Sequence, residues 1–250
     1  MTTETIDFLL AFADDEHLMG QQHTEWIGVA PSLEQDLSLS SIGQDELGHA
    51  VLLYELVLEL GGKETSDLEI DKIAYKRTET EYRSSAFVEY STNDWAEALV
   101  RHWIYDTVEL ERWSQVVNSS SESLASIAAV ALRDEQYHLR HANAVLDPLL
   151  QDQDARELLL AGLQVILPLV PSLLTPTRGQ AEAQASGLTT GSIGDLAEFA
   201  ADAISVRFGQ PVAGLEPSEV QHSRTRRSAH FGPLMRRMRE VLDYDPQAVW

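Results

Sequence analysis

The stretch SIGQDELGHA, residues 41–50, carries a glutamate and a histidine three positions apart, Glu46 and His49, with Asp45 directly before the glutamate. Residues three apart on an α-helix lie on one face, so these two side chains are expected to point the same way. A single Glu-x-x-His in a chain rich in acidic residues is expected by chance, and alone it is weak evidence for a metal site.

The same arrangement occurs again in DEQYH, residues 134–138, where Asp134 precedes Glu135 and His138 follows three positions later. The apolar pattern places each copy midway along the second helix of a predicted helical hairpin. Two copies in equivalent positions are far less frequent by chance than one copy. The repetition therefore favours one site shared between two hairpins over two unrelated polar patches.

The apolar periodicity predicts helices along almost the whole chain, because strand signals are nearly absent. The helices of the two hairpins are expected at residues 4–27, 33–60, 94–117 and 123–146. Ser32 is a candidate N-cap for the second of them, and Pro148 is expected to end the fourth. The fold class is therefore all-α, a four-helix bundle with additional C-terminal helices.

The remaining segments connect or extend this bundle. Residues 61–92 are expected to be a connection with a short strand or helical turn at AFVEY, and residues 175–194 a mobile loop. Further helices are expected at about 152–174 and near 195–207 and 217–242. We expect one domain over residues 1–250, with the core bundle at about 4–147 and a C-terminal helical extension at 148–250.

Hairpin geometry predicts the partners of the two motifs, because residues equidistant from the turn of an antiparallel helix pair lie level with each other. A turn near position 31 places Glu46 level with Glu16, each 15 residues from the turn. A turn between positions 120 and 121 places Glu135 level with Asp106. Both partner positions carry a carboxylate, although any residue type was open to either.

Di-iron and di-manganese carboxylate bundles combine two Glu-x-x-His helices with one further carboxylate from each of the other two helices. The predicted ligands are Glu16, Glu46, His49, Asp106, Glu135 and His138. Their four carboxylates carry a charge of about −4, which two divalent ions balance. Two iron ions are the expected cofactor, and manganese is the alternative. Solvated helix-surface groups, or a site filled by water or a structural ion, remain the competing interpretations.

Five further residues are expected around these ligands. Asp45 and Asp134 are placed to accept the free ring N–H of a metal-bound histidine on the opposite helix. Glu109 lies one turn along the third helix and is either a ligand or a supporting group. His102 and Tyr105 are candidates for lining or supporting the site, and ordinary core packing is the alternative for each.

Composition excludes several classes of protein. The formal net charge of −22 predicts repulsion from nucleic acid and from anionic membranes. The chain contains no cysteine, which excludes disulfides and cysteine-ligated clusters and fits a cytoplasmic location. The N-terminus lacks a basic segment typical of signal peptides. The apolar run at residues 158–174 contains two prolines and is interpreted as a buried helix rather than a membrane span.

Three segments resemble the phenylacetyl-CoA monooxygenase (epoxidase) family. They are GQQHTEWIGVAPSLEQDLSLSSIGQDELG at residues 20–48, EQYHLRHA at 135–142, and HFGPLMRRMREVL at 230–242 with Trp250 after it. The resemblance extends over nearly the whole chain and implies a ferritin-like fold. The length and the C-terminal segment resemble the family's C-type chains, so a PaaC-like subunit is expected.

The resemblance also implies an activity and partners. The family's oxygenase inserts one oxygen atom of O₂ into an aromatic ring held as its CoA thioester. The implied partners are a homologous ferritin-like PaaA-like subunit and a reductase subunit with flavin and an iron–sulfur cluster, in a hetero-oligomer or dimer. In this family the di-iron site belongs to the PaaA-like subunit, whereas PaaC-like subunits have lost the ligands and serve as scaffold. This chain departs from that pattern, because all six positions match the PaaA-like ligands.

Two other functions stay open. One is a non-catalytic scaffold subunit of the same complex, and the other is a ferritin-like protein for metal storage or oxidative defence. About 100 residues follow the fourth predicted helix, which is more than a ferritin monomer needs. The basic segments RTRR at 224–227 and RRMR at 236–239 form either a solvated helix face or a contact for an acidic partner or CoA phosphates.

Overall fold

A computed structural model describes residues 3–215 and 224–245 of the chain, and this part contains helices and no strands. The helices are α1 (Thr3–Thr24), α2 (Leu33–Leu60), α3 (Asp67–Tyr75), α4 (Ala86–Glu89), α5 (Trp95–Ser114), α6 (Glu122–Gln151), α7 (Gln153–Ile166), α8 (Val170–Leu173), α9 (Gln180–Ala185), α10 (Ile193–Phe208), α11 (Phe231–Met238) and α12 (Glu240–Tyr244). The expected all-α, ferritin-like bundle with additional C-terminal helices is confirmed.

Four long helices form the bundle. Helix α1 packs along α2, α5 packs against α6, and α2 also contacts α6. Helices α7 and α10 cover the outer side of α5. Because the bundle and the C-terminal extension together enclose α5, every residue from Glu97 to Glu109 is buried.

The bundle has two apolar clusters, one towards each end. One cluster contains Phe8, Phe12, Leu53, Tyr54, Trp113 and Leu124 among its members. The other contains Leu18, Met19, Trp103, Ile104, Leu146, Leu163, Ile204 and Phe231 among its members. Along α1 the first cluster ends at Ala13 and the second begins at Leu18. Polar residues between those positions therefore lie in a layer with apolar packing on both sides.

Two glycines allow α1 and α2 to approach closely. A Cβ atom added at Gly20 would lie 3.0 Å from the carbonyl oxygen of Gly43, and one added at Gly43 would lie 3.0 Å from that of Gly20. This spacing leaves no room for a methyl group without moving one helix. The pair lies one turn from Glu16 on α1 and from Glu46 on α2, so it helps to set the distance between them.

The helix boundaries agree with the sequence at α2, whose predicted range of 33–60 is confirmed. Ser32 occupies the N-cap position but makes no side-chain capping bond. The prediction that Pro148 ends the fourth helix is wrong, because α6 continues to Gln151. Proline removes one hydrogen bond, and Leu149 and Leu150 pack against the larger apolar cluster in compensation.

Two expected connections contain more structure than predicted. Residues 61–92 include α3, whose Ile70 and Ala74 are buried one turn apart, and AFVEY forms the helical turn α4. Residues 175–194 include α9, so the expectation of a mobile loop is wrong for the segment that packs on the bundle. Leu188 is buried there, and the backbone N–H of Thr190 donates to the carbonyl oxygen of Gln115 over 2.8 Å.

The last predicted helix, 217–242, is only partly testable. Residues 231–238 and 240–244 are helical, whereas 216–223 and the terminal Trp250 lie outside the described residues.

The arginine-rich C-terminal segment does not form a wholly solvated face. The side chains of Arg224 and Arg227 are 4% and 5% exposed, and their guanidinium groups pair with Asp15 and Glu89. Arg224 also donates through Nε to the carbonyl oxygen of Thr175 over 2.8 Å. The expectation of a solvated face or an external contact is therefore wrong for these two arginines.

One stretch in the described part of the chain, Gln153–Leu173, is long and apolar enough to cross a membrane by length and composition. It is not one continuous α-helix, because a 3₁₀ turn at Leu167–Leu169 separates α7 from α8. Leu163 and Ile166 are fully buried against the bundle. This is weak evidence for a membrane span, since core helices of the same composition are common.

The glycine contact gives a matched pair of substitutions in α2. Gly43→Ala should lower the free energy of unfolding by about 1–3 kcal/mol, because the new methyl overpacks the contact with Gly20. Gly48→Ala should raise it by about 0.5–1 kcal/mol, because no atom lies within 4 Å of the added Cβ and alanine favours the helix. Urea denaturation of both variants tests this, and destabilisation of similar size in both would contradict it.

Removing the buried arginine should destabilise the fold. Arg224→Ala leaves the buried Asp15 with one cation fewer, and we expect a loss of about 3–5 kcal/mol. Arg237→Ala is the matched control, because Arg237 pairs with Glu25 at the surface and should contribute less than about 1 kcal/mol. Equal shifts in the thermal midpoint of the two variants would show that the buried pair is unimportant.

Candidate metal centre

The predicted ligands on α2 and α6 occupy positions that an apolar residue would normally fill. On α6 the buried stripe runs through Ala131, Glu135, His138 and Ala142, all of them fully buried. On α2 the corresponding stripe is Ile42, Glu46, His49 and Leu53. The helical pattern that buries alanine and leucine elsewhere therefore buries a glutamate and a histidine in each helix.

The structure brings all six predicted ligands together in two groups of three. The first group is Glu16, His49 and Glu135, and the second is Glu46, Asp106 and His138. Within each group one ligand atom of every residue lies within 4.8 Å of the others, and all six residues are buried. Each group takes residues from both hairpins, so the site exists only when the hairpins pack together. Metal binding by these residues stays a prediction.

The two histidines contact carboxylates across the bundle. His49 Nε2 lies 3.4 Å from Asp134 Oδ2 on α6, and His138 Nε2 lies 3.3 Å from Asp45 Oδ2 on α2. Both aspartates therefore stand where the sequence placed them, opposite the histidine of the other motif. Each contact turns the Nδ1 atom of its histidine towards the centre of the bundle.

Three consecutive acidic residues on α1 point in different directions and take different partners. Asp14 pairs with the guanidinium of Arg77. Asp15 Oδ2 lies 3.2 Å from Arg112 Nη1, and it also pairs with the arginine of the C-terminal segment. Glu16 has no arginine partner in the described chain; its Oε2 lies 2.9 Å from His49 Nδ1. Of the three, only Glu16 has a histidine rather than an arginine as its charged partner among the described residues.

The supporting residues on α5 divide into two kinds. Tyr105 donates its O–H to Glu16 Oε1 over 3.1 Å, and His102 Nδ1 lies 3.3 Å from Asp106 Oδ2. Glu109 pairs instead with Arg112 and belongs to neither group of three. The interpretation of Glu109 as a ligand is therefore not supported, because an arginine occupies its carboxylate.

His23 is a residue of the site that the sequence patterns did not predict. Its Nδ1 lies 2.7 Å from Glu46 Oε2, with both side chains buried. His23 is two turns from Glu16 along α1, and it follows no Glu-x-x-His motif. The hairpin count gave no signal for it, because a turn near position 31 places His23 level with Leu39, two turns before Glu46.

The unpartnered atoms of the site fit metal ligation. Glu46 Oε1, both oxygens of Asp106, both oxygens of Glu135 and His138 Nδ1 are buried, and none has a hydrogen-bond partner in the described part of the chain. An unsatisfied buried polar atom costs about 1–3 kcal/mol, so six of them in one place need an explanation. Oxygen and imidazole nitrogen donors are the set that iron and manganese prefer.

The pKa values of these groups reflect their burial and their mutual repulsion. Burial, with the carboxylates of Glu16 and Asp106, raises the pKa of Glu135 to about 7 despite an opposing effect of His138. Burial and the Glu16 charge raise the pKa of Glu46 well above its ordinary value. Burial opposes charge on His138, but its contacts with Asp45 and Glu135 prevail and raise its pKa to about 12. Without cations, the centre relieves its repulsion by taking up protons.

Comparisons with known proteins identify the family of the chain. Residues 1–250 match the family described as "Phenylacetic acid catabolic protein". Over 142 residues the chain is 30% identical to the C subunit of 1,2-phenylacetyl-CoA epoxidase from Escherichia coli (strain K12). That alignment covers 57% of this chain and 56% of the relative, so the chain spans little more than half of the relative's length.

The metal-free protein should lose stability as the pH rises from about 4.5 to about 7. In this range the folded state keeps the Glu135 proton, whereas the unfolded chain, with the ordinary pKa of 4.5, loses it. The free energy of unfolding then falls by up to about 1.4 kcal/mol per pH unit for this carboxyl. Glu135→Gln has no such proton, so its stability should fall less steeply in chelator-treated samples.

Urea denaturation of both proteins at pH 5, 6 and 7 measures this difference. Parallel dependences on pH for the parent protein and the glutamine variant would contradict the assignment of the proton to Glu135.

Proposed function

Because the chain belongs to the phenylacetic acid catabolic protein family, we propose that it is a subunit of a multicomponent oxygenase with a di-iron centre of its own. The two buried groups of three ligand residues carry the second part of this proposal. The likeness to an epoxidase subunit supports the first part. The proposed substrate is an aromatic ring held as its CoA thioester, of which phenylacetyl-CoA is the first candidate.

Each group of three would hold one ion. Glu16 and His49 face one position and Asp106 and His138 the other; Glu135 belongs to the first group and Glu46 to the second. Two ferrous ions held by these residues would supply the activation of O₂, and manganese is the alternative metal. Electrons are proposed to come from a separate reductase with flavin and an iron–sulfur cluster, since this chain has no cysteine to bind one.

The protein's own residues fix the ligands and exclude water. Asp45 and Asp134 hold the outer ring nitrogens of the histidines, and Tyr105 holds one oxygen of Glu16. The apolar clusters on both sides of the polar layer keep it dry, which strengthens every electrostatic contact inside it. The chain thereby supplies ligand number and orientation, and the bound metal supplies the redox chemistry.

The bundle and the extension are proposed to act as one domain, residues 1–250, with the core at about 4–147 and the extension at 148–250. The larger apolar cluster supports this, since it joins Trp103 and Ile104 of the bundle to Leu163 and Ile204 of the extension. A homologous PaaA-like subunit is the proposed partner in a hetero-oligomer or dimer. A cytoplasmic location belongs to the same proposal.

A scaffold role within the same complex is the second candidate function. The relative's designation favours it, because the resemblance implies that PaaC-like subunits support a catalytic partner. A storage or defence protein receives no comparable support, because the matching family is catabolic. The two remaining candidates differ in one measurable property, the metal content of the purified chain.

The decisive measurement is metal per chain in protein purified without chelator and loaded anaerobically with Fe(II). We expect about two ions per chain, and bands of an oxo-bridged diferric centre after exposure to air. Glu46→Ala and His138→Ala should each abolish two-ion binding. His141→Ala is the matched control, because His141 lies one turn from His138 on α6 and belongs to neither group.

Parent protein that binds no iron or manganese after loading would overturn the di-iron proposal and leave the scaffold function. Two ions retained in both ligand variants would show that metal binds elsewhere.

A further inference from the structure

The buried contact between His23 and Glu46 has no role in the ligand set described above. His23 Nδ1 lies 2.7 Å from Glu46 Oε2, and the side chains are 3% and 0% exposed. With a metal bound, Glu46 would be ionised and would only accept hydrogen bonds, so the ring would donate to it through Nδ1–H. The other ring nitrogen has no partner in the described part of the chain, and the ring packs edge-on against His102 at 4.7 Å.

The three buried glutamates of the centre differ in how their oxygens are engaged. Glu46 has one oxygen bound to His23 and the other without a partner in the described chain. Glu16 has Oε1 bound to the hydroxyl of Tyr105, and its Oε2 faces His49 within the first group. Both oxygens of Glu135 are unpartnered among the described residues. Two glutamates therefore each have one oxygen held by a neutral donor, and one glutamate has both oxygens available.

Glu135 also lies between the two groups. Its Oε1 is 3.5 Å from His138 Nδ1, which belongs to the second group, and 4.0 Å from His49 Nδ1, which belongs to the first. No comparable pair of contacts links Glu46 to both histidines among the described residues. The two Glu-x-x-His motifs are alike in sequence, but their glutamates stand in different surroundings.

We propose that His23 is a positioning residue that makes the centre asymmetric. By holding Oε2, it confines Glu46 to one ion, the ion of the group with Asp106 and His138. Glu135, whose Oε1 lies near the histidines of both groups, would then be the carboxylate available to either position. This inference rests on the proposed function, because it concerns how a metal centre is shared between residues of this chain.

The alternative is that His23 only fills space in the core. In that case removing its ring would loosen the bundle and weaken both ions alike. A positioning role affects one ion, because His23 touches a single carboxylate of one group. Outer partners of ligands are worth about 10–100-fold in metal affinity, which is large enough to separate these cases.

The experiment titrates the chelator-treated full chain with Mn(II), following affinity by calorimetry and free Mn(II) by its paramagnetic resonance signal. Two single-ion backgrounds separate the positions: Glu16→Ala keeps the second group intact, and Asp106→Ala keeps the first. His23→Leu should weaken Mn(II) binding about 10–100-fold in the Glu16→Ala background. In the Asp106→Ala background the affinity should stay within the error of the titration.

Two further variants guard the interpretation. His23→Gln restores an N–H donor and should recover most of the lost affinity. His23→Phe, which keeps a ring but has no donor, replaces His23→Leu if that variant does not fold. His17→Gln is the matched control, since His17 is a buried histidine of the same helix that contacts Tyr54 rather than a ligand. It should leave both affinities unchanged.

Equal weakening in both backgrounds, or no weakening in either, would overturn the positioning role alone, because the parent protein would still bind two ions. Parent protein that binds no Mn(II) or Fe(II) would overturn the proposed function and this inference together.

Discussion

Burial of four like-charged carboxylates in one layer of the bundle is the constraint on which the other features depend. Removing a carboxylate from water is costly, and each further carboxylate nearby raises the cost. The fold limits this cost by giving the outer atoms partners: Tyr105 at Glu16, His23 at Glu46, and aspartates at the two histidines. Most of the inner atoms have no partner among the described residues and face each other. Such a layer is stable only if cations or protons enter it.

Arginines neutralise the acidic residues that border this layer. Arg112 lies between Asp15 and Glu109, and Arg224 of the C-terminal segment reaches the same aspartate. Because Asp15 is adjacent to Glu16, the C-terminal segment contributes to the position of a proposed ligand more than 200 residues away in sequence. Helices α7 and α10 pack against α5, which carries Asp106, and so help to fix the position of that residue. The extension therefore completes the surroundings of the centre as well as enlarging the core.

The sequence predicts the residues of the site whose positions depend on the helical repeat and on the symmetry of the two hairpins. Counting from the turns placed Glu16 level with Glu46 and Asp106 level with Glu135. The structure brings all four carboxylates into the centre, with the two members of each pair in different groups of three. Contacts between distant segments could not be found in this way. His23 is not level with Glu46 when counted from the turn. The carboxylate of Glu109 pairs with Arg112 one turn away. Arg224 reaches Asp15 only through a tertiary contact. Helix α6 continues past Pro148 because of tertiary packing as well: the contacts of the following leucines outweigh one lost hydrogen bond.

The likeness to a PaaC-like chain favours a scaffold role, whereas the complete ligand set favours a metal-binding role. The energetic cost of the buried carboxylates helps to decide between them. A purely structural subunit has no use for a buried layer of carboxylates, because apolar residues of similar volume would stabilise the same bundle better. Here the layer is supported by polar partners that serve little purpose in a scaffold: the hydroxyl of Tyr105, the ring of His23, and the carboxylates of Asp45 and Asp134. Each of these contacts fixes the outer atom of a proposed ligand side chain and leaves its inner atom facing the centre. The arrangement costs stability unless cations fill it, and this cost favours a metal-binding subunit over a scaffold.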